Sequence, residues 1–252
     1  MINILMSGCN GKMGQVITRL SEQYEDLHIA AGYDIFDNGK NDYPVFTDLK
    51  SCNVKLDVII DFSNPGALDG LIAFATGKKL PIVVATTGLS PVHKKLLDQA
   101  SQSIPVFSSV NMSLGVNLVI DLVKKAARLL EPNFDIEIIE KHHSQKLDAP
   151  SGTALAIADS INSVLEQKQE YVYDRHSRRK KRSKTEIGIH AVRGGTIVGE
   201  HSVIFAGNDE IIEINHSAMS KDIFGTGALT AAKFIYGKKP GMYNMNDLIG
   251  EK

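Results

Sequence analysis

The segment between residues 142 and 153 contains the side chains of this sequence that are best suited to acid–base chemistry. It combines two adjacent histidines, a lysine, an acid and a small polar turn ahead of a helical pattern: His142, His143, Lys146, Asp148, Ser151, Gly152 and Thr153. Imidazole and ammonium groups can donate protons to a reacting molecule. A Ser-Gly-Thr turn at the start of a helix presents backbone N–H groups that suit an anion. The segment therefore predicts a catalytic site for a small, multiply charged anionic substrate.

Two other interpretations of the histidines stay open from the residues alone. His142, His143 and Asp148 could be metal ligands, although no further Cys/His cluster accompanies them. One histidine could also be an ordinary core residue. Adjacent residues on a strand point to opposite faces, so at most one histidine faces a given pocket unless the strand ends there.

A glycine-rich turn follows the first strand-like run and precedes a helical pattern. It has the spacing GxxGxxG, with a cysteine at the place of the first glycine of the usual GxGxxG: Gly8, Cys9, Asn10, Gly11, Lys12, Met13 and Gly14. Glycines allow the backbone to turn tightly beside a pyrophosphate, and the helix N-terminus adds N–H donors. Asp34 lies 20 residues beyond Gly14, where a carboxylate can accept from a ribose hydroxyl. The alternatives are a structural turn and a turn acid, so the pair together favours a dinucleotide.

Small polar loops follow three later strand-like runs, at 61–65, 85–88 and 109–112. Each could be an ordinary helix cap. Because the carboxyl ends of parallel strands share one edge of a sheet, three such loops in register favour a nicotinamide-binding crevice.

The first half of the chain alternates strand-like and helix-like patterns. Nearly continuous apolar runs lie at Ile2–Met6, His28–Tyr33, Val58–Asp61, Ile82–Thr86 and Val106–Val110, with helical stretches such as Met13–Tyr24 and Pro65–Thr76 between them. This alternation predicts a Rossmann-like, doubly wound parallel sheet.

The second half reads differently. Predicted elements there are a helix, a strand, a helix, three consecutive strands and a last helix: Gly115–Leu130, Phe134–Glu140, about Thr153–Gln167, Thr185–Val192, Thr196–Phe205, Glu210–Ser217 and Ile223–Tyr236. Consecutive strands indicate a C-terminal α+β domain with a mixed or antiparallel sheet.

Composition argues against several classes of protein. The chain has 252 residues, a formal net charge of −1 and two cysteines. The charge gives no electrostatic field that would attract nucleic acid, and two cysteines do not indicate a disulfide framework. We expect a cytoplasmic protein, because the N-terminus has no signal-peptide pattern and no apolar run is long enough to span a membrane. The basic run Arg175–Lys184 is interpreted as a solvated, mobile loop; nucleic-acid binding, or added positive field near an anionic substrate, are the alternatives.

The segment EIIEKHHSQKLDAPSGTA, residues 137–154, resembles the signature of 4-hydroxy-tetrahydrodipicolinate reductases, the dihydrodipicolinate reductases of bacterial lysine and diaminopimelate synthesis. The resemblance covers the whole chain, including GxxGxMG, DFS, ATTG, SVNMSLGVN and VRGGTIVGEH. It implies reduction of a cyclic hydroxy-dicarboxylate, with loss of water, by hydride from NADH or NADPH. It also implies a homotetramer assembled through the second domain's sheet. The net charge of −1 separately predicts no nucleic-acid or membrane partner.

The resemblance implies a discontinuous domain split and a set of site residues. The expected domains are 1–111 plus about 221–252 for the dinucleotide and 112–220 for the substrate and oligomerisation. His142 would be the proton donor or acceptor, and Lys146 the second proton donor and carboxylate partner. The substrate would bind at four residues: His143, Ser151, Gly152 and Thr153. The cofactor would bind at fourteen residues: Gly8, Cys9, Asn10, Gly11, Lys12, Met13, Asp34, Ala85, Thr86, Thr87, Ser109, Val110, Asn111 and Met112.

Two positions depart from the pattern of the family. Members that use NADP tend to place an arginine after the acid, whereas Ile35 follows Asp34 here, which favours NADH unless Lys40 reaches the 2′-phosphate. Ala85 stands where many relatives have glycine.

Two competing functions remain. The first is another two-domain NAD(P) dehydrogenase, which would not be expected to carry the HH…K…SGT segment. The second is a nucleotide sensor or nucleic-acid-binding protein that uses the basic residues 178–181.

Overall fold

The computed structural model describes residues 1–250 as two compact units. The first unit consists of Met1–Leu114 and the segment that begins at Asp222, and the second unit is Gly115–Lys221. The chain therefore leaves the first unit once and returns to it. No helix in the described range is both long and apolar enough to cross a membrane.

The secondary structure of residues 1–250 consists of strands and helices with two short 3-10 turns. The strands are β1 (Ile2–Ser7), β2 (Leu27–Tyr33), β3 (Val45–Phe46), β4 (Val58–Asp61), β5 (Ile82–Val84), β6 (Pro105–Ser108), β7 (Asp135–His142), β8 (Glu170–Val172), β9 (Glu186–Arg193), β10 (Gly199–Ala206), β11 (Ile211–Ala218) and β12 (Gly241–Tyr243). The helices are α1 (Lys12–Ser21), α2 (Leu68–Lys78), α3 (Pro91–Ala100), α4 (Leu114–Leu130), α5 (Gly152–Asn162), α6 (Asp222–Ile235) and α7 (Met245–Gly250). The 3-10 turns are Leu49–Ser51 and Pro65–Ala67.

A seven-stranded parallel sheet forms the centre of the first unit. Its strand order is β12-β6-β5-β4-β1-β2-β3, and every pairing is parallel. Without β12 this is the order of a Rossmann sheet, in which the connection reverses between β1 and β4. The predicted doubly wound fold is confirmed.

Helices cover both faces of this sheet, which explains why its central strands are apolar throughout. Residues of α1 and α6 pack on one face with Ile4 and Ile60. Residues of α2 and α3 pack on the other face with Leu5 and Ile59. Neighbouring residues of one strand are thus buried on opposite sides of the sheet. The sequence of such a strand is therefore continuously apolar and does not alternate between apolar and polar residues.

Helix α3 was absent from the sequence predictions. Its start is well specified, because Ser90 and His93 form a reciprocal capping box and Pro91 occupies the first turn. The helix body buries only Leu97 and Ala100 fully, so its apolar periodicity is weak. The predicted helix Pro65–Thr76 is also divided, into a 3-10 turn and α2.

The second unit contains a five-stranded mixed sheet with the order β11-β10-β7-β9-β8. β7 and β9 are parallel, as are β8 and β9, whereas β10 is antiparallel to both β7 and β11. Helices α4 and α5 cover one face and bury apolar residues of β7, β9 and β10. The predicted mixed sheet is confirmed.

Helix α5 is shorter than its predicted range of Thr153–Gln167. The Asn162 side chain accepts from the N–H of Gln169 at 2.7 Å and donates to its carbonyl at 2.9 Å. This pair of hydrogen bonds holds a reversal of the chain and explains why the helix ends at Asn162.

The interpretation of Arg175–Lys184 as a solvated, mobile loop is wrong for its two outer arginines. Arg175 donates to Glu137 and Glu186. Arg182 donates to Glu137 and Asp135, both at 3.0 Å, and to two backbone carbonyls of the sheet. These side chains attach the run to β7 and β9, while residues 178–181 between them are exposed.

Candidate active site

The predicted catalytic segment of the second unit begins at the carboxyl end of β7. Glu140 and His142 occupy alternate positions on the helix-covered face of that strand, after Ile136 and Ile138. The His142 Nδ1 lies 2.6 Å from a Glu140 carboxylate oxygen, and both side chains are buried. His142 is therefore neither a solvated histidine nor an apolar core residue.

Glu140 is completely buried yet fully hydrogen bonded. One of its oxygens accepts from Arg193 at 2.7 Å and from the N–H of Ser151 at 3.0 Å. The other accepts from Arg193 at 2.8 Å and from His142. Burial raises the pKa of Glu140, but the hydrogen bonds from Arg193, His142 and Ser151 outweigh it, so the pKa lies below its usual value. Glu140 is an anion at neutral pH.

Arg193, at the end of β9, forms the bidentate partner of this anion. The same guanidinium donates to the carbonyl of Asp148 at 2.6 Å and to that of Val192 at 2.7 Å. It thereby connects the strand ends to the loop that carries Lys146. A planar guanidinium matches a carboxylate with two parallel hydrogen bonds, which a lysine cannot do.

Ser151 caps the N-terminus of α5. Its hydroxyl accepts from the N–H of Ala154 at 3.2 Å and lies 3.1 Å from the Nε2 of His201. Because the serine is buried, it supports the turn from inside, while Gly152 is exposed and Thr153 is half-buried at the first turn of the helix. The first turn of α5 contains no acid that would compete with an anionic ligand for the helix N-terminus.

His201, on β10, packs edge-on against His142 with 5.3 Å between the ring centroids. Burial, followed by the charge of His142, lowers the pKa of His201 to about 4. Its Nδ1 is buried and makes no hydrogen bond. His201 is therefore neutral over the ordinary range of enzyme activity.

Lys146 and His143 lie in the loop after β7. The Lys146 ammonium is 2.8 Å from an Asp148 carboxylate oxygen, and its hydrogen bond lowers the pKa of Asp148. Since β7 ends at His142, the rule that adjacent strand residues face apart does not extend to His143, which is half-buried. Within residues 1–250 no group of three or more His, Cys, Asp or Glu side chains is arranged to hold a metal ion.

Sequence reasoning assigned no role to Glu140, Arg193 or His201. Glu140 could have been found, because it precedes His142 by two residues and shares its face of the strand. Arg193 and His201 lie in the VRGGTIVGEH segment, which carried the family resemblance without an assigned chemistry.

The glycine-rich turn of the first unit is closely packed. Gly8 has a φ of +79°, and a Cβ there would lie 2.7 Å from the carbonyl oxygen of Phe62. A Cβ on Gly14 would lie 2.2 Å from the carbonyl oxygen of Gly8. Helix α1 begins at Lys12 with Gly11 as its cap, and no side chain caps it. A backbone that only glycine permits thus leads into an uncapped helix N-terminus, which fits a pyrophosphate.

Asp34 lies beside this turn at the end of β2. One of its oxygens accepts from the N–H of Asn10 at 2.9 Å and the other from the N–H of Ile35 at 2.8 Å. Each carboxylate oxygen has a second lone pair, so two acceptor sites are left for ribose hydroxyls. Ile35 is 82% exposed, beside the position where a 2′-phosphate would need a cation.

Several side chains of the predicted cofactor set are already buried in the core or hydrogen bonded to other residues of the first unit. Those of Cys9 and Met112 lie in the hydrophobic core, and burial raises the pKa of Cys9 to about 11. The Thr86 hydroxyl donates at 2.7 Å to the buried carboxylate of Asp61. Cys9, Thr86 and Met112 can therefore offer a cofactor mainly their backbone.

Met13 lies in the first turn of α1, and the remaining members of the set lie at the carboxyl ends of strands. Ala85 and Thr87 follow β5, and Ser109, Val110 and Asn111 follow β6. The Asn111 side chain accepts from the N–H of Ser113 at 2.8 Å, and Val110 is exposed.

A doubly wound sheet with such a turn, together with a unit that carries buried acid–base groups, defines a nicotinamide-nucleotide-dependent oxidoreductase. Two family models match the chain: dihydrodipicolinate reductase, N-terminus, over residues 2–112, and dihydrodipicolinate reductase, C-terminus, over residues 115–249. The chain belongs to the dihydrodipicolinate reductase family.

Individual proteins similar to this chain belong to the same family. The chain is 54% identical over 253 residues to a 4-hydroxy-tetrahydrodipicolinate reductase of Caldanaerobacter subterraneus subsp. tengcongensis, covering 99% of this chain and 98% of the relative. It is 50% identical to one of Clostridium tetani, covering 99% and 97%. A solved dipicolinate-bound dihydrodipicolinate reductase from Paenisporosarcina sp. superposes with a TM-score of 0.78 at 26% identity, covering 98% of this chain and 99% of that one.

Proposed function

We propose that the protein reduces 4-hydroxy-2,3,4,5-tetrahydrodipicolinate to 2,3,4,5-tetrahydrodipicolinate, with loss of water, in the diaminopimelate route of lysine biosynthesis. The observation that carries this proposal is the family match, which runs through both halves of the chain and includes the His142–Thr153 segment. The acid–base cluster of the second unit supplies the chemistry that this reaction needs.

The substrate is a small dicarboxylate, and the second unit offers cationic and N–H groups for it. Lys146 and the first turn of α5 would hold a ring carboxylate, with His143 beside them. The solved relative has dipicolinate bound, a planar dicarboxylate of the same size class. The role of Ser151 is to cap the helix and support Gly152 and Thr153, because its own hydroxyl is buried and hydrogen bonded.

Bound NAD(P)H supplies the hydride for the reduction. Hydride addition builds negative charge on the substrate ring, and a nearby acid must neutralise it. His142 is the proposed proton donor, with Lys146 as the second donor and as the carboxylate partner. The Asp148 carboxylate holds the Lys146 ammonium in place at 2.8 Å.

We propose NADH as the preferred cofactor. Asp34 presents free acceptor sites where a ribose would bind, and exposed Ile35 occupies the position that an arginine takes in relatives with NADP preference. Replacing Ile35 with Arg should therefore improve the kcat/KM for NADPH relative to NADH.

The proposed assembly is a homotetramer in the cytoplasm. The open face of the second sheet carries partly exposed apolar residues such as Val192 and Ile211, which pairing with a second copy would cover.

Oxidation of NADH and NADPH, followed by absorbance, tests the proposed activity. The unstable substrate is made in situ from pyruvate and aspartate semialdehyde by the preceding synthase. Rapid, substrate-dependent oxidation supports the proposal, and the two rates decide the cofactor preference. Folded protein that binds the nucleotide but oxidises neither cofactor would contradict it.

A further inference from the structure

We propose that Glu140, clamped by Arg193, is the positioning residue that determines which nitrogen of His142 exchanges a proton with the substrate. This inference rests on the proposed function of His142 as proton donor. It goes beyond that function because it gives the buried ion pair a specific role in it.

The bidentate pairing with Arg193 determines the charge of Glu140 and therefore its role in hydrogen bonding. A completely buried carboxylate is normally expensive to ionise, but this one receives three N–H donors besides its contact with His142, two of them from a guanidinium. An ionised carboxylate can only accept hydrogen bonds. The contact of 2.6 Å with His142 therefore requires a proton on Nδ1 of the imidazole.

The tautomer of His142 follows from this requirement. With Nδ1 protonated and committed to Glu140, the neutral ring has its free lone pair on Nε2. The second proton of the imidazolium is also on Nε2. Proton exchange with the substrate thus takes place at Nε2, and Nδ1–H keeps the ring in one orientation throughout.

Gly199, the first residue of β10, lies beside the reactive nitrogen. A Cβ at this position would lie 3.1 Å from the His142 Nε2 and 3.4 Å from its Cδ2. Any side chain there would crowd the Nε2 edge, so glycine leaves this edge of the ring uncovered. The Glu140–Arg193 ion pair occupies Nδ1, and the absence of a side chain on Gly199 leaves Nε2 accessible. Both features favour proton exchange at Nε2.

The other titratable and charged groups near His142 do not replace the role of Glu140. His201 contacts the ring, His216 and Lys146 act electrostatically on His201, and Asp148 acts on Arg193. His201 is neutral above about pH 4, and the Asp148 carboxylate is paired with Lys146. Glu140 is the acid in direct contact with the imidazole.

The test is replacement of Glu140 by Gln, which keeps the shape of the side chain and removes its charge. The expected result is a fall in kcat on the order of 10²-fold with little change in KM or in NADH affinity. The variant loses the Nδ1-protonated tautomer of His142 but keeps the residues that bind the substrate and the cofactor. The kcat–pH profile should also differ from that of wild type, since the carboxylate in contact with the imidazole has lost its charge. A merely structural role would lower the amount of folded enzyme without changing this profile.

Glu137→Gln is the matched control. Glu137 lies on the same strand and also contacts a histidine, His190, at 2.8 Å and two arginines, but on the opposite face of the sheet. Its replacement should leave the kcat–pH profile unchanged. If Glu140→Gln folds and retains both the wild-type kcat and the wild-type pH profile, the proposed role is wrong.

A second variant and a spectroscopic measurement do not depend on the folding of Glu140→Gln. Gly199→Ala retains the ion pair and should lower kcat by crowding Nε2. Nitrogen NMR of the wild-type histidines should show Nδ1 protonated in neutral His142, and an Nε2-protonated tautomer would overturn the inference. Wild-type protein without reductase activity would instead refute the proposed function, so the two failures are distinct.

Discussion

At the scale of single residues, the proposed function gives Lys146 two tasks, as the cation that binds a substrate carboxylate and as a proton donor. We predict that Lys146→Ala lowers turnover by roughly 10²-fold or more and leaves NADH affinity unchanged. Steady-state kinetics and a cofactor titration measure the two quantities. Lys125→Ala is a matched control, because Lys125 forms a Lys–Asp pair of the same 2.8 Å length on the surface of α4. Normal turnover by Lys146→Ala would show that the assigned role is wrong.

Asp34 is the proposed acceptor for the ribose hydroxyls of the cofactor. Asp34→Ala should raise the Kd for NADH at least about tenfold and alter the substrate KM far less, because ribose hydroxyls lose a charged acceptor. Fluorescence titration with NADH measures the first quantity. Asp37→Ala removes an exposed acid three residues away and should have little effect. Equal NADH affinity in both variants would identify Asp34 as a turn residue only.

Individual site residues differed in how far the sequence revealed them. His142 and Lys146 could be proposed from the sequence because they are neighbours in one short motif. The residues that complete the site are distant in sequence: Arg193 is 53 residues from Glu140, and His201 is 50 residues from Ser151. Their proximity depends on the registers of β7 with β9 and β10, which no local pattern determines.

Local patterns were reliable for elements wherever burial was regular. The parallel strands were found because both of their faces are covered, and their apolar runs are therefore continuous. Helix α3 and the edge strands β3, β8 and β12 are short or weakly apolar, and tertiary contacts decide their existence. The end of α5 likewise depends on the Asn162 side chain and not on propensity.

The arginines of the basic run hold elements together. Arg182→Ala should lower the free energy of unfolding by about 1–3 kcal/mol, because Glu137 and Asp135 lose a largely buried partner. Urea unfolding measures this change. Arg179→Ala, in the exposed part of the same run, should change stability by less than about 0.5 kcal/mol. Equal stability of both variants with wild type would restore the interpretation of the whole run as a solvated loop.

Stability of the whole molecule should depend on pH through His201. Its pKa is about 4 in the folded protein and near 6.5 when unfolded, so the unfolded chain binds the proton more readily. This histidine's contribution is complete above about pH 6.5 and is lost as the pH falls toward 4. Between pH 7 and pH 5 the loss should be about 2 kcal/mol.

The control for this dependence is a pair of glutamine variants. His201→Gln should flatten the stability curve between pH 7 and pH 5, whereas His176→Gln, at an exposed position, should leave it as in wild type. Urea unfolding at several pH values gives the curves. A His201→Gln curve as steep as that of wild type would contradict the assignment of a neutral, buried His201.

Transfer of deuterium from the cofactor to the substrate ring is the most direct test of the proposed reaction. NADH carrying deuterium at both C4 positions is supplied with the substrate generated in situ, and the product is analysed by mass spectrometry. The proposed reaction places one deuterium in the product ring for each cofactor oxidised and releases the substrate hydroxyl as water. Cofactor oxidation without deuterium in the ring, or a labelled product that keeps the hydroxyl, would contradict it.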